Sequence, residues 1–301
     1  MKLAVLEGTD PVLLRGLDPR VEVVFFPKEG EPPQTALEAE FLVATRQFMV
    51  GHLARMPHLR VVQTISAGVD WIKPHVPAGV ILADGRGVHD VAVSEWVVTA
   101  ILATLKLVPE FSRAQERGEW LGKERLDELY GKRVLLIGYG SIGRATAARL
   151  RAFGVEIVPV ARRPRPGVLP LTAVGDVLPQ ADIVVLLLPL TRETSRLVDA
   201  GFLGRMKDGA LLVNAGRGGL VDHQALLAEL NAGRLRAALD VADPEPLPPG
   251  HPLWRAPGVW ISPHRAAIVP RLRERGYALV REQVRRYLAG EPLLNVVVDS
   301  Y

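Results

Sequence analysis

The run Val134-Leu-Leu-Ile-Gly138-Tyr-Gly140-Ser-Ile-Gly143-Arg-Ala-Thr-Ala-Ala constrains this chain more than any other feature. Its four apolar residues read as a buried strand, its glycines as a tight turn, and the stretch to about Phe153 as an amphipathic helix. A bare G-x-G-x-x-G spacing is weak evidence, but between a strand and a helix each glycine acquires a task. Gly138 permits the turn, Gly140 lets a pyrophosphate approach the backbone, and Gly143 lets the helix lie against the strand. The positive helix end at Ser141 and Ile142 attracts the phosphates. This is the pattern of a dinucleotide-binding turn.

What surrounds the turn repeats its logic. Strand candidates Glu156–Val160, Ile183–Leu188, Ala210–Val213, Ala237–Asp240 and Val259–Ile261 alternate with amphipathic stretches such as Arg144–Phe153 and His223–Ala232. Such a β-α-β-α series predicts a parallel, doubly wound sheet. Upstream, Leu3–Leu6, Val21–Phe26, Phe41–Ala44, Val61–Ile65 and Val80–Ala83 predict a second open α/β sheet. One long helix is expected from Val91 to about Ala114, a polar connector from Arg117 to Lys132, and a last helix from about Val269 to Leu288 that carries the terminus back to the first domain.

With 301 residues, 48% hydrophobic and 23% charged, the chain is long enough for two cores and too apolar for disorder. Zero cysteines exclude disulfides, thiolate nucleophiles and iron–sulfur clusters. The N-terminus is apolar too briefly for a signal peptide and no run approaches the ~20 residues of a membrane span, so a cytosolic protein is expected. A net charge of +4 admits nucleic acid or an anionic ligand as partner. The cations are scattered, and the dense run at Arg271–Arg275 and Arg281–Arg286 is interleaved with Glu, which argues against nucleic acid.

Where the strand after the turn ends, a carboxylate would accept from a ribose 2′-hydroxyl, but here stand Val160-Ala161-Arg162-Arg163-Pro164. Arg162 and Arg163 offer charged forks to a 2′-phosphate, so NADP is expected before NAD. Further on, strand ends deliver Arg217, Glu245 and His264. A cation for a carboxylate, a His to protonate a carbonyl oxygen, and a carboxylate to orient and charge that His suit reduction of a 2-keto acid. Asp222 reads as the cap of the helix beginning near His223, and the histidines other than His264 as surface or capping residues. No His/Asp/Glu cluster has metal-ligand spacing.

The chain resembles the D-isomer-specific 2-hydroxyacid dehydrogenase family at Ser66-Ala67-Gly68-Val69-Asp70, Val93-Ser94-Glu95-Trp96, Gly138–Gly143, Leu188-Pro189-Leu190-Thr191, Asn214 to Asp222, Asp240-Val241 with Glu245-Pro246, and Pro263-His264. The order and separation of these stretches match as well. The resemblance implies a Rossmann nucleotide-binding domain, 95–270, inserted into a flavodoxin-like substrate domain, 1–94 plus 271–301. It implies that Arg217 grips the substrate carboxylate, helped by the N–H groups of Ala67 and Gly68, that His264 is the acid/base, and that Glu245 hydrogen-bonds its imidazole. Leu188, Pro189 and Ala215 would line the cofactor, and Asp240 would face the nicotinamide carboxamide.

The implied activity is reduction of glyoxylate or hydroxypyruvate, with a homodimer formed through the nucleotide domain. A 3-phosphoglycerate dehydrogenase is the alternative, made less favourable because no appended regulatory domain follows Tyr301; a dinucleotide-sensing corepressor or scaffold is an alternative of another class. Three positions depart from the family pattern. Ala242 stands for an aromatic residue, Arg265 for an apolar one, and Asp243 puts a second carboxylate near Glu245.

Overall fold

The computed structural model describes residues 1–298; positions 299–301 of the expected C-terminal segment lie outside the described residues. The chain divides into two units, Met1–His89 with Val269–Tyr301, and Asp90–Ile268. The boundaries expected at 94/95 and 270/271 sit a few residues away. The first of them falls inside the helix Asp90–Leu105, whose Val93, Val97 and Ile101 pack as one block with the second unit's core.

In the first unit, β1 (Lys2–Leu6), β2 (Glu22–Phe26), β3 (Phe41–Ala44), β4 (Val61–Thr64) and β5 (Ile81–Ala83) form a parallel sheet ordered β2-β1-β3-β4-β5. This is the flavodoxin-like order. Side chains alternate across it: Leu3, Val5, Phe41 and Val43 meet Tyr277, Val280 and Val284 of the helix Leu272–Ala289, while Ala4, Phe26, Leu42 and Val62 meet Met49, Leu53 and Ile72. Each such Leu, Val, Ile or Phe contributes about 1.5–3 kcal/mol on burial.

A polar pair crosses one of these apolar layers. Gln63, on β4 and buried, donates to the carbonyls of Thr64 and Asp84, and accepts from Gln283 Nε2 at 2.7 Å. Gln283 in turn exchanges two 2.8 Å hydrogen bonds with the backbone of Leu294. The amides satisfy one another and tie the C-terminal segment to a central strand.

The second unit holds β6 (Arg133–Ile137), β7 (Glu156–Ala161), β8 (Leu169–Pro170), β9 (Ile183–Leu186), β10 (Leu211–Asn214), β11 (Arg236–Leu239) and β12 (Val259–Ile261). All neighbours are parallel in the order β12-β11-β10-β9-β6-β7-β8, the Rossmann arrangement. Both faces are covered, so the strands read as unbroken apolar runs.

The long helix expected over Val91–Ala114 is two helices, Asp90–Leu105 and Val108–Glu116, bent by 66°. Leu107 takes the left-handed conformation at the break, with φ 52°. Pro109 then sits in the first turn of the second helix, where its missing N–H costs nothing. Among the described residues no single helix is long and apolar enough to cross a membrane.

Asp182 pins three strands of this sheet. Its carboxylate accepts from Arg133 N at 2.9 Å and Lys207 Nζ at 2.6 Å, and its main chain pairs with Arg133 and Leu211. Burial pushes its pKa up, but the Arg133 N–H and the Lys207 ammonium outweigh that and hold it below the ordinary value. A depressed carboxylate stabilises the fold above its unfolded pKa of about 3.9, and the contribution disappears as pH falls through the folded value. Asp182→Asn is therefore expected to cost about 1 kcal/mol at pH 7 in urea titrations, with the gap from the parent closing toward pH 3.

Candidate active site

In the second sheet the turns that follow neighbouring strands lie main chain on main chain. A Cβ on Gly138, after β6, would stand 2.5 Å from the Leu187 carbonyl carbon, beyond β9. One on Gly216, after β10, would stand 2.7 Å from Leu188 O, and one on Gly218 only 1.9 Å from Ala242 O, beyond β11. No side chain fits at these contacts, so glycine is required by space; Gly138 requires it also by its φ of 110°. The result is a row of turns, in sheet order, at the carboxyl edge where open α/β sheets bind ligands.

The Gly138–Gly143 turn opens the ten-residue helix Ser141–Leu150, whose Gly140 N-cap supplies no side-chain hydrogen bond to the first N–H groups. A Cβ on Gly143 would meet Gly138 O at 2.4 Å, whereas one on Gly140 would meet nothing within 4 Å. The helix is thus pressed on the turn while space lies open above Gly140. That combination fits a pyrophosphate.

Arg162 and Arg163 follow β7, both exposed, with no carboxylate at the strand end. Beside them stands a cation that sequence reasoning passed over, because Pro164 separates it from the pair. Arg165 lies over the Tyr139 ring at 5.6 Å and donates to Tyr139 O at 2.6 Å, against the phosphate-binding turn itself.

Arg217, Glu245 and His264 follow β10, β11 and β12. Buried Asn214 shapes the first of these turns, accepting from Gly216 N at 3.0 Å and donating to Arg217 O at 2.9 Å, while Arg217 Nη1 donates to Gly216 O at 2.9 Å. His264 Nδ1 is hydrogen-bonded to Glu245 Oε1, both side chains being about half exposed. His264 has φ 52°, a left-handed conformation that costs a residue with a Cβ about 1–2 kcal/mol.

His223, read from sequence as a surface or capping residue, is 8% exposed. Its Nδ1 lies 2.9 Å from Asp243 O and so anchors the loop that carries Glu245. Asp222 does cap the helix His223–Asn231, accepting from Gln224 and Ala225. Asp243 thus enters through its backbone, and the ring partner of His264 is Glu245.

Leu188 is buried, and Pro189 O accepts from Thr194 Oγ1 at 2.8 Å, which fixes the turn beyond β9 next to Gly138 and Gly216. Ala215 N donates to Leu186 O at 3.2 Å. Asp240 is 3% exposed, and its carboxylate accepts from Ser262 Oγ and from the N–H groups of Arg265 and Ala266. Ala67 and Gly68 belong to the first unit, in the turn after β4, where the Thr64 and Ser66 hydroxyls and the Trp71 indole take up the carbonyls of Ser66 and Gly68.

Residues 98–266 match the family model of the D-isomer specific 2-hydroxyacid dehydrogenase NAD binding domain. A glyoxylate reductase of Thermofilum pendens is 36% identical over 249 residues, 78% of this chain and 74% of that protein. A D-3-phosphoglycerate dehydrogenase of Methanocaldococcus jannaschii is 32% identical over 79% of this chain; the matched part spans about half of that relative, 47% of its length. A D-isomer specific 2-hydroxyacid dehydrogenase from Xanthobacter autotrophicus, solved with NADPH and MES, has a TM-score of 0.83 and 30% identity, covering 99% of this chain and 98% of that one. Sheet order, glycine turn and sequence agree: the chain belongs to the D-isomer specific 2-hydroxyacid dehydrogenase family, whose members are NAD(P)-dependent oxidoreductases acting on small keto and hydroxy acids.

Proposed function

We propose that this protein reduces small 2-keto acids, glyoxylate and hydroxypyruvate, to D-2-hydroxy acids with NADPH. The observation that carries the reading is the hydrogen-bonded His264–Glu245 pair in the same row of strand-end turns as Arg217. The likeness to the Thermofilum glyoxylate reductase supports the substrate class. When bound, the nicotinamide supplies a hydride to the carbonyl carbon. Arg217 binds the substrate carboxylate with its planar fork, and Ala67 and Gly68 N–H groups are assigned the second carboxylate oxygen. His264 gives its proton to the carbonyl oxygen as negative charge develops there, and Glu245 stabilises the protonated ring that does so.

The cofactor preference follows from Arg162 and Arg163, with Arg165 beside them and no acidic residue to accept a ribose hydroxyl. A cytosolic setting and a homodimer complete the reading. The dimer contact is assigned to the connector, where Trp120 is 96% and Tyr130 76% exposed. The likeness to the Methanocaldococcus phosphoglycerate dehydrogenase keeps phosphohydroxypyruvate as the competing substrate.

NADPH oxidation measured at 340 nm with glyoxylate, hydroxypyruvate and phosphohydroxypyruvate decides the substrate. NADPH binding without turnover on any of them would make the protein a sensor. NADPH is expected to exceed NADH by at least about tenfold in kcat/KM, since about 1.4 kcal/mol suffices for that ratio. Ala161→Asp combined with Arg162→Ser should reverse the order, and equal rates with both cofactors in the parent would dismiss the arginine clamp. Arg217→Lys should lower kcat/KM for the keto acid about 100-fold with NADPH affinity unchanged, because charge remains but the fork is lost. Trp120→Glu should sediment as a monomer where the parent sediments as a dimer.

A further inference from the structure

The row of turns is joined by glycines from β6 to β11, but the last step, from β11 to β12, is joined differently. At the end of β11, Asp240 accepts through its main-chain oxygen from His264 N at 2.7 Å. Its carboxylate reaches both sides of that histidine. Oδ1 accepts from Ser262 Oγ before it and from Arg265 N at 2.8 Å after it, and both oxygens lie 3.1 Å from Ala266 N. The residue so enclosed carries a β-carbon at φ 52° and is preceded by Pro263, which has no N–H to contribute.

We infer that Asp240 is a positioning residue, whose buried carboxylate holds His264 in its left-handed backbone conformation and thereby aims the imidazole at Glu245. Left to itself a histidine leaves that conformation; Ser262 O also accepts from His264 N at 3.0 Å, while the Ser262 hydroxyl and the N–H groups of Arg265 and Ala266 converge on the Asp240 carboxylate. A carboxylate suits the place because it accepts only, with about four lone-pair directions for three donors. An amide of the same shape offers one oxygen and turns an NH2 group against an N–H or hydroxyl. This assignment differs from a contact with the nicotinamide carboxamide, and it rests on His264 being the proton donor.

The test uses Asp240→Asn and Asp240→Ala in the full chain, with His264→Asn as reference. The readouts are steady-state kinetics with NADPH and glyoxylate, NADPH affinity by fluorescence titration, and the ring resonances of 15N-histidine-labelled protein. Both Asp240 variants should lose about 100-fold in kcat, the scale of a small misplacement of a reacting group. KM and NADPH affinity should stay within about threefold, the split expected when ground-state binding is untouched. The His264 resonance, identified by its absence from His264→Asn, should move toward that of a solvent-exposed histidine. An unmoved His264 resonance overturns the inference, as does retained kcat with weakened NADPH binding, which would place Asp240 on the cofactor instead. If His264→Asn keeps parental turnover, the acid/base reading fails, and the ring resonance in the Asp240 variants still decides the positioning. Should Asp240→Ala not fold, Asp240→Asn carries the same measurements at unchanged volume.

Discussion

Main chain touching main chain at the carboxyl edge of the second sheet is the constraint on which the site rests. Parallel strands about 4.8 Å apart leave no room for turns to cross one another unless one partner at each contact lacks a side chain. Gly138, Gly216 and Gly218 meet that condition between β6, β9, β10 and β11. Because each turn abuts the next, the position of the phosphate-binding loop, of Arg217 and of the loop carrying Glu245 are mutually determined. Close-packed interiors transmit displacement with little loss, so the spacing between the glycine turn after β6 and the loops carrying Arg217 and Glu245 is set by main-chain packing more than by flexible side chains.

The electrostatic arrangement follows the same edge. The N-terminus of the helix Ser141–Leu150 opens after β6, Arg162, Arg163 and Arg165 follow β7, and Arg217 stands after β10. Three acidic groups have protein partners: Glu245 on His264, Asp240 on the backbone of loop 262–266, and Asp182 on Arg133 and Lys207 at the opposite ends of the strands. Cations and a helix N-terminus at one edge suit the phosphates of the family's NAD(P) cofactor.

Much of this was legible in the amino-acid order, for a reason that the structure makes plain. Strands buried on both faces are apolar along most of their length, so β6, β9 and β10 announce themselves as runs, and glycines and charges gather in the turns that follow them. What was not legible depends on contacts distant in sequence. Nothing local marks Leu107 as left-handed, since Pro109 suits the start of a helix as well as a break. His223 looks like any residue after a cap; only the return of Asp243 beside it buries the ring. The Asp240-Val241 pair was visible, but the donors its carboxylate serves arrive 22 to 26 residues later.

The Gln63–Gln283 pair has a consequence for how the molecule comes into being. One of its partners emerges from the ribosome early, the other only after the whole of the second unit, about 180 residues, has been made; loops of that length cost little extra entropy to close but a great deal of time in waiting. The second unit is continuous and can complete its sheet while synthesis proceeds. The first sheet meanwhile exposes the apolar face of Leu3, Val5 and Phe41 that the helix Leu272–Ala289 will cover. Its translation thus imposes an interval in which the earliest-made residues are the last to be secured, and in which that uncovered face is the place where a chaperone would bind.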